Sequence, residues 1–314
     1  MNTEEQLHIT ILVGAVFFSG LVLYALSPHI FKTPLQVRVS AAAFCADLTP
    51  RITLEGQAAY AEEVGTKRTL YEKNGIVQMP LASLTKLMTA LVAADVLKRN
   101  ETVTISKAAL APEGDSGFQE GEKWDVGTLI DFTLLTSAND GAHALALATE
   151  EKTGETPEAF VKRMNAKASS LNLMQTFFID DTGLDISAKN AGAYGSAKDV
   201  ANLLAYIAEN NPRLIEGTRV GQKTFTSESG VSHKGTNTSM LITTLGGAIG
   251  AKTGFTDLAG GNLAVLYEPL PGHVVALVIL GSSKEGRDAD MKILAEAVKK
   301  SLRRAILCET SKSL

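Results

Sequence analysis

The order of elements along this 314-residue chain predicts an α/β (α+β) domain. Its antiparallel sheet is formed from both chain ends and flanked by helices, with a helical subdomain inserted between the two groups of strands. Three observations carry that expectation. Strand-like runs lie near the two ends of the folded region, apolar residues at helical spacing fill its middle, and an amphipathic helix follows the last strand. An 18-residue uncharged run near the start adds an N-terminal transmembrane helix.

Residues 1–8, MNTEEQLH, form a short acidic N-terminus. Residues 9–26 read ITILVGAVFFSGLVLYAL, and a helix of that length spans about 27 Å, close to the hydrocarbon core of a bilayer. A cleaved leader has a basic start and a shorter apolar run, so an uncleaved anchor is the better reading. Residues 27–56, with Pro34 and Pro50, read as a tether. The folded region, 57–308, opens with runs at 57–63 and 68–73, joined by Val64-Gly65-Thr66-Lys67 as a hairpin. Leu84, Leu87, Met88, Leu91 and Val92 recur at helical spacing, so Ser83 starts a buried helix. Helices follow at 126–135, 140–152, 157–171 and 196–209, the last opened by a Ser-x-x-Asp cap, within a helical subdomain of about 95–211. The tail returns to strands at 248–256, 261–267 and 273–280. The helix 288–307 then aligns Met291, Leu294, Val298, Leu302 and Ile306 on one face.

Composition excludes several classes. A 45% hydrophobic fraction is too high for a disordered chain, and a net charge of −4 lacks the basic excess of a nucleic-acid binder. Five scattered histidines without HExxH spacing and only two cysteines argue against a metal site, and no cofactor is expected. Cys45 and Cys308 could pair in an oxidising compartment, but sequence separation says nothing about their distance.

Three short motifs carry chemistry. Ser83-x-x-Lys86 puts a hydroxyl and an amine one turn apart on one face, where an amine of depressed pKa can take the hydroxyl proton. Alone, the pattern is more often that of a capping serine and a surface lysine; the apolar residues Leu84, Leu87 and Met88 around it favour burial. Ser-x-Asn and Lys-Thr-Gly each occur twice. Ser170-Leu-Asn172 ends a polar helix, and Lys152-Thr-Gly154 has the composition of a helix terminus. Ser137-Ala-Asn139 instead lies between two apolar helices, and Lys252-Thr253-Gly254 lies on an apolar, glycine-dense strand, which marks close approach of a ligand or backbone.

In order and spacing these motifs resemble those of the serine D-alanyl-D-alanine carboxypeptidases, the low-molecular-weight penicillin-binding proteins. Gly65–Asn74, Leu81–Leu91, Gly183-Leu184 and Lys252–Leu263 extend the resemblance over roughly residues 57 to 307. Departures are Asn237-Thr-Ser239 before the Lys-Thr-Gly strand and Asp180-Asp-Thr-Gly-Leu184 in a loop. The resemblance implies a β-lactamase/transpeptidase-like fold and removal of the terminal D-alanine from peptidoglycan stem peptides through an ester on Ser83. Lys86 is then the base and Ser137 the proton relay. Asn139, Lys252, Thr253, Gly254, Phe255 and Thr256 bind substrate, with the Ser83 and Phe255 N–H groups as oxyanion hole. Charge repulsion from Lys252 would keep Lys86 neutral. A β-lactam would acylate Ser83.

Two related enzymes and one binding protein compete with this expectation. A class A-like β-lactamase needs a deacylating glutamate in an E-x-x-L-N loop, and that string does not occur. A D,D-endopeptidase is a closer alternative, which the sequence does not separate from the carboxypeptidase. A non-catalytic wall-binding module predicts a damaged nucleophile or base, and neither is damaged. The implied partners are a stem peptide ending in D-Ala-D-Ala, β-lactams, and the bilayer through the N-terminal helix. Lys32 and Arg38 beyond the anchor favour a cytoplasmic body by the positive-inside rule. The substrate lies outside the cytoplasmic membrane, so the expected location is a single-pass cell-membrane protein with its catalytic domain on the outer face.

Overall fold

The computed structural model describes residues 50–156 and 158–310. The expected anchor at 9–26 and Cys45 lie outside the described residues. Among the described residues, no helix is long and apolar enough to cross a membrane.

The chain forms strands β1 (Ala58–Glu63) and β2 (Arg68–Lys73), then helix α1 (Lys86–Val96). A short hairpin of β3 (Thr102–Thr104) and β4 (Lys123–Asp125) precedes helices α2 (Val126–Thr136), α3 (Asn139–Thr153), α4 (Ala159–Ser170) and α5 (Ala197–Asn210). A second hairpin, β5 (Gln222–Thr226) and β6 (Ser232–Thr236), leads into β7 (Ala248–Thr256), β8 (Gly260–Leu270) and β9 (His273–Ser282). Helix α6 (Gly286–Thr310) closes the described chain. The main sheet is antiparallel, in the order β7-β8-β9-β1-β2, so strands from both ends of the chain share it.

Successive side chains of a strand point to opposite faces, and here both faces are covered, which explains the almost unbroken apolar runs. Ala276, Val278 and Leu280 of β9 join Ala264 and Leu266 in packing against the inserted helices. Val275, Leu277 and Ile279 face the other way, with Leu263 and Val265, toward Met291, Leu294, Val298 and Leu302 of α6. Those four side chains of α6 are fully buried, each contributing about 2 kcal/mol relative to exposure. Local caps behave as the sequence suggests: Ser196 Oγ accepts from Asp199 N at 3.1 Å. Asp125, at the start of α2, accepts from Thr128 N at 2.9 Å.

Residues 54–56, assigned to the end of the tether, are bound to the body. Leu54 is buried, Gly56 N donates to Asp290 Oδ2 at 2.7 Å, and Lys73 Nζ donates to Leu54 O and Gly56 O. The two short hairpins were not expected. Their strands carry polar residues on one face and only isolated buried ones, such as Phe225 and His233, on the other.

Candidate active site

Ser83 does not open an α-helix. It sits in a 3-10 turn, Ala82–Thr85, and α1 starts at Lys86. In a 3-10 turn residues three apart eclipse one another, which stacks Lys86 directly over Ser83. Ala82 has φ +49°, a left-handed backbone unusual outside glycine, at a cost of about 1–2 kcal/mol. Its neighbours hold it there. Asn262 of β8, fully buried, donates to Pro80 O and Leu81 O at 3.0 and 3.1 Å and accepts from Gly281 N at 2.9 Å.

Two glycines let the backbone close around this turn. A methyl on Gly183, at φ +81°, would lie 2.0 Å from Ala82 O. One on Gly254 of β7 would lie 2.8 Å from Leu81 O and 3.3 Å from Ser83 N. The Lys-Thr-Gly strand therefore runs against the N–H of Ser83, as its glycine implied.

Lys86 is fully buried, and its Nζ makes three contacts: Ser83 Oγ at 2.9 Å, Asn139 Oδ1 at 2.6 Å and Thr182 O at 2.7 Å. Asn139, in the first turn of α3, also donates from Nδ2 to Glu113 O at 2.6 Å. Burial lowers the Lys86 pKa to about 7, against the opposing pull of Asp180, Asp181 and Asp140.

The second half of the site hangs on Lys252. Its Nζ donates to Ser137 Oγ at 2.8 Å and to Thr253 O at 2.9 Å. Ser137 closes α2 in a left-handed conformation, φ +65°, and lies two residues before Asn139, so one short link joins the halves. Thr253 Oγ1 shares a 2.6 Å hydrogen bond with Thr238 Oγ1. Thr256 Oγ1 donates to Asp185 Oδ1 at 2.9 Å. Phe255 is exposed, with Lys284 Nζ 5.3 Å from its ring centroid.

The expected electrostatics need correcting. Lys252 was expected to depress Lys86, but burial of Lys86 does that. Repulsion from Lys86 and Arg287 instead reinforces burial in pushing Lys252 well below the ordinary lysine range.

The structure brings Ser83, Lys86, Ser137, Asn139, Lys252 and Thr253 into two linked hydrogen-bonded groups, with Gly254 packed on the serine turn. It also shows participants outside the three motifs. Arg287 of α6 is buried and donates from Nη1 to Gly254 O at 2.9 Å; no local pattern marked it, because it comes from the far end of the chain. Thr182 enters through its carbonyl, which no side-chain motif reveals. Thr238 lies in the departing segment Asn237-Thr-Ser239, where Asn237 ties the backbone through Thr218 O and Val220 O. The copies Ser170-Leu-Asn172 and Lys152-Thr-Gly154 stand apart: Ser170 Oγ donates to Lys167 O within α4, and Lys152 pairs with Glu101.

A family model described as D-alanyl-D-alanine carboxypeptidase, Peptidase_S11, matches residues 45–283. The chain is 29% identical over 249 residues to the D-alanyl-D-alanine carboxypeptidase DacF of Bacillus subtilis, covering 77% of this chain and 62% of that protein. It is 32% identical over 216 residues to DacB2 of Mycobacterium tuberculosis, a D-alanyl-D-alanine carboxypeptidase, covering 67% and 69%. Among solved structures, penicillin-binding protein D2 of Listeria monocytogenes in its ampicillin-bound form superposes with a TM-score of 0.65 at 30% identity, over 80% of this chain and 99% of that one. This chain thus spans somewhat less than two thirds of the Bacillus relative's length.

Proposed function

The chain belongs to the Peptidase_S11 D-alanyl-D-alanine carboxypeptidase family, and from that premise we propose that it removes the terminal D-alanine from peptidoglycan stem peptides through an acyl-enzyme on Ser83. The observation that carries the proposal is the 2.9 Å contact between Ser83 Oγ and a fully buried lysine amine whose pKa is about 7. An ordinary lysine, near pH 10.4, would be protonated and useless as a base at neutral pH.

Neutral Lys86 accepts the Ser83 hydroxyl proton as Oγ forms a bond to the carbonyl carbon between the two D-alanines. The N–H groups of Ser83 and Phe255 receive the developing oxyanion, each such donor lowering the barrier by about 3 kcal/mol. Ser137, hydrogen-bonded to Lys252, passes a proton to the departing D-alanine nitrogen as the C–N bond breaks and is reprotonated by the ammonium of Lys86, which returns that amine to its neutral form for the attack of water. The arriving carboxylate favours the ammonium form of Lys252, so Lys252 and Thr253 receive the substrate's terminal carboxylate in a charge-assisted contact, and the Arg287 guanidinium adds positive potential behind Gly254. Asn139 orients Lys86 and the peptide. Water then cleaves the ester, and Ser83 recovers its proton. A β-lactam opens on the same hydroxyl; the ampicillin-bound Listeria relative supports that extension.

The location follows from the substrate, which lies outside the cytoplasmic membrane. Residues 9–26 have the length and apolarity to hold the domain there, and shielding of the body from protease added to intact cells would overturn that placement. The activity is tested by incubating the full chain with a pentapeptide ending in D-Ala-D-Ala. Free D-alanine is the expected product, absent from Ser83→Ala. Cleavage of a cross-linked peptide without D-alanine release would replace the carboxypeptidase by an endopeptidase.

A further inference from the structure

His143 has no part in the chemistry above, yet it stands directly behind the base. It lies four residues after Asn139 on α3, and side chains so spaced share one helix face. Asn139 reaches Lys86 directly; His143 reaches it through one intermediary. The ring Nδ1 is 2.7 Å from Asp181 Oδ2. The Asp181 carbonyl accepts from Thr89 Oγ1 of α1 at 2.6 Å, and the next carbonyl, that of Thr182, accepts from Lys86 Nζ at 2.7 Å. The 181–182 backbone is thus pinned on α1 by two carbonyls and on α3 by one carboxylate.

We propose that His143 is a positioning residue for the base: paired with Asp181, it fixes the Thr182 carbonyl against Lys86 and offsets the Asp181 carboxylate that would otherwise hold Lys86 as an ammonium. The inference rests on Lys86 acting as the base. The charged groups that act on His143 are Asp181 and Asp180 of the loop and Glu150 of α3, while Lys252 of β7, itself beside Arg287, faces Lys86. Asp180, Asp181 and Asp140 all favour protonated Lys86. His143 is raised above the ordinary histidine range, chiefly by its hydrogen bond to Asp181, so the pair favours the imidazolium that faces the Asp181 carboxylate.

The sign of the effect is fixed. Removing the imidazolium leaves Asp181 uncompensated and raises the Lys86 pKa. Removing the Asp181 charge lowers it. The readout is the pH dependence of the second-order rate of Ser83 acylation by a fluorescent penicillin, measured on the full chain. His143→Ala should move the acidic limb to higher pH, with at least about a threefold loss of rate below the limb and convergence with wild type above it. His143→Asn, which keeps a donor near the Nδ1 position without the charge, should move the limb the same way and carries the test if the alanine variant does not fold. Asp181→Asn should move the limb to lower pH, and the double variant His143→Asn/Asp181→Asn should follow Asp181→Asn. A merely structural role would lower the rate at every pH and leave the limbs coincident, which would overturn the proposal. Wild-type chain that is not acylated at any pH would instead remove the reading of Lys86 as base, and this inference with it.

Discussion

Replacing Gly254 by alanine tests how closely the nucleophile is held against the sheet. The added methyl would meet Leu81 O at 2.8 Å, Ala82 Cβ at 3.1 Å and Ser83 N at 3.3 Å. The first of these is shorter than the contacts real methyl groups make, so either β7 or the serine turn must move by several tenths of an ångström. The turn cannot retreat freely. Asn262 holds Pro80 O and Leu81 O from the sheet, Ala82 is already in a left-handed conformation, and Gly183 backs it with no spare room. The strand is held by its pairing with β8, Gly254 opposite Asn262, and by Arg287 on the Gly254 carbonyl. Overpacking of this kind costs about 1–3 kcal/mol in stability. The larger effect falls on catalysis, because shifts approaching 1 Å in a reacting group cost on the order of 100-fold in rate. The assay is the second-order rate of Ser83 acylation by a fluorescent penicillin, with thermal unfolding as control. A shift of several tenths of an ångström is smaller than a full ångström, so a loss of about tenfold or more with a folded protein is expected. Acylation within about threefold of wild type would show that the strand does not brace the nucleophile, and the close packing would lose its functional meaning.

Three further outcomes follow from the same contacts. Acylation of the wild-type chain should rise with pH through a limb near the Lys86 pKa of about 7; a limb in the ordinary lysine range would mean that burial does not tune the base. Asn262→Ala strands two buried carbonyls at about 1–3 kcal/mol each, so chemical denaturation should show a loss of several kcal/mol together with slower acylation, and an unchanged midpoint would refute the bracing role. Glu122 is buried and 2.7 Å from His233; burial pushes its carboxyl pKa up, but hydrogen bonds from Gln119, Ser227 and His233 outweigh that and hold it below the usual value. A depressed carboxylate stabilises the fold above its unfolded pKa, and that contribution disappears as pH falls through the folded value. Denaturation measured from neutral to acid pH should therefore show wild type losing its advantage over Glu122→Gln, and parallel curves would deny the pair a part in acid unfolding.

Much of this organisation is legible in the sequence because burial writes it as pattern. The strands at 248–256 and 273–282 are covered on both faces and so read as apolar runs. Helices α2 to α5 show within a residue or two because each carries a stripe facing the sheet or its neighbours. The site motifs are legible for a different reason: the proposed chemistry needs particular side chains at fixed short spacing, and the apolar setting separates the copies that meet in the structure from Ser170-Leu-Asn172 and Lys152-Thr-Gly154. What escapes is whatever acts through the backbone or through long-range closure. The 3-10 turn under Ser83 depends on Asn262 and on two glycines from other parts of the chain. Thr182 works through its carbonyl, and Arg287 arrives from the last helix. No local window contains those relationships.

The same distinction explains why the expected source of the depressed lysine needed correction. A sequence shows that Lys86 and Lys252 are both cations, so mutual repulsion is the effect it suggests. It does not show that the amine of Lys86 is sealed beneath Ser83, Asn139 and the Thr182 carbonyl with no exposure at all. Desolvation alone penalises an ammonium by several pKa units in such surroundings, enough to prevail over three aspartates that pull the other way. Those aspartates then acquire a purpose. With burial driving the amine toward neutrality, nearby carboxylates set how far the drive goes, and two of them, Asp180 and Asp181, lie in the loop that packs against His143. Tuning of the base is therefore expected to vary with the 180–184 loop and its His143 partner, while the motifs that name the chemistry stay unchanged.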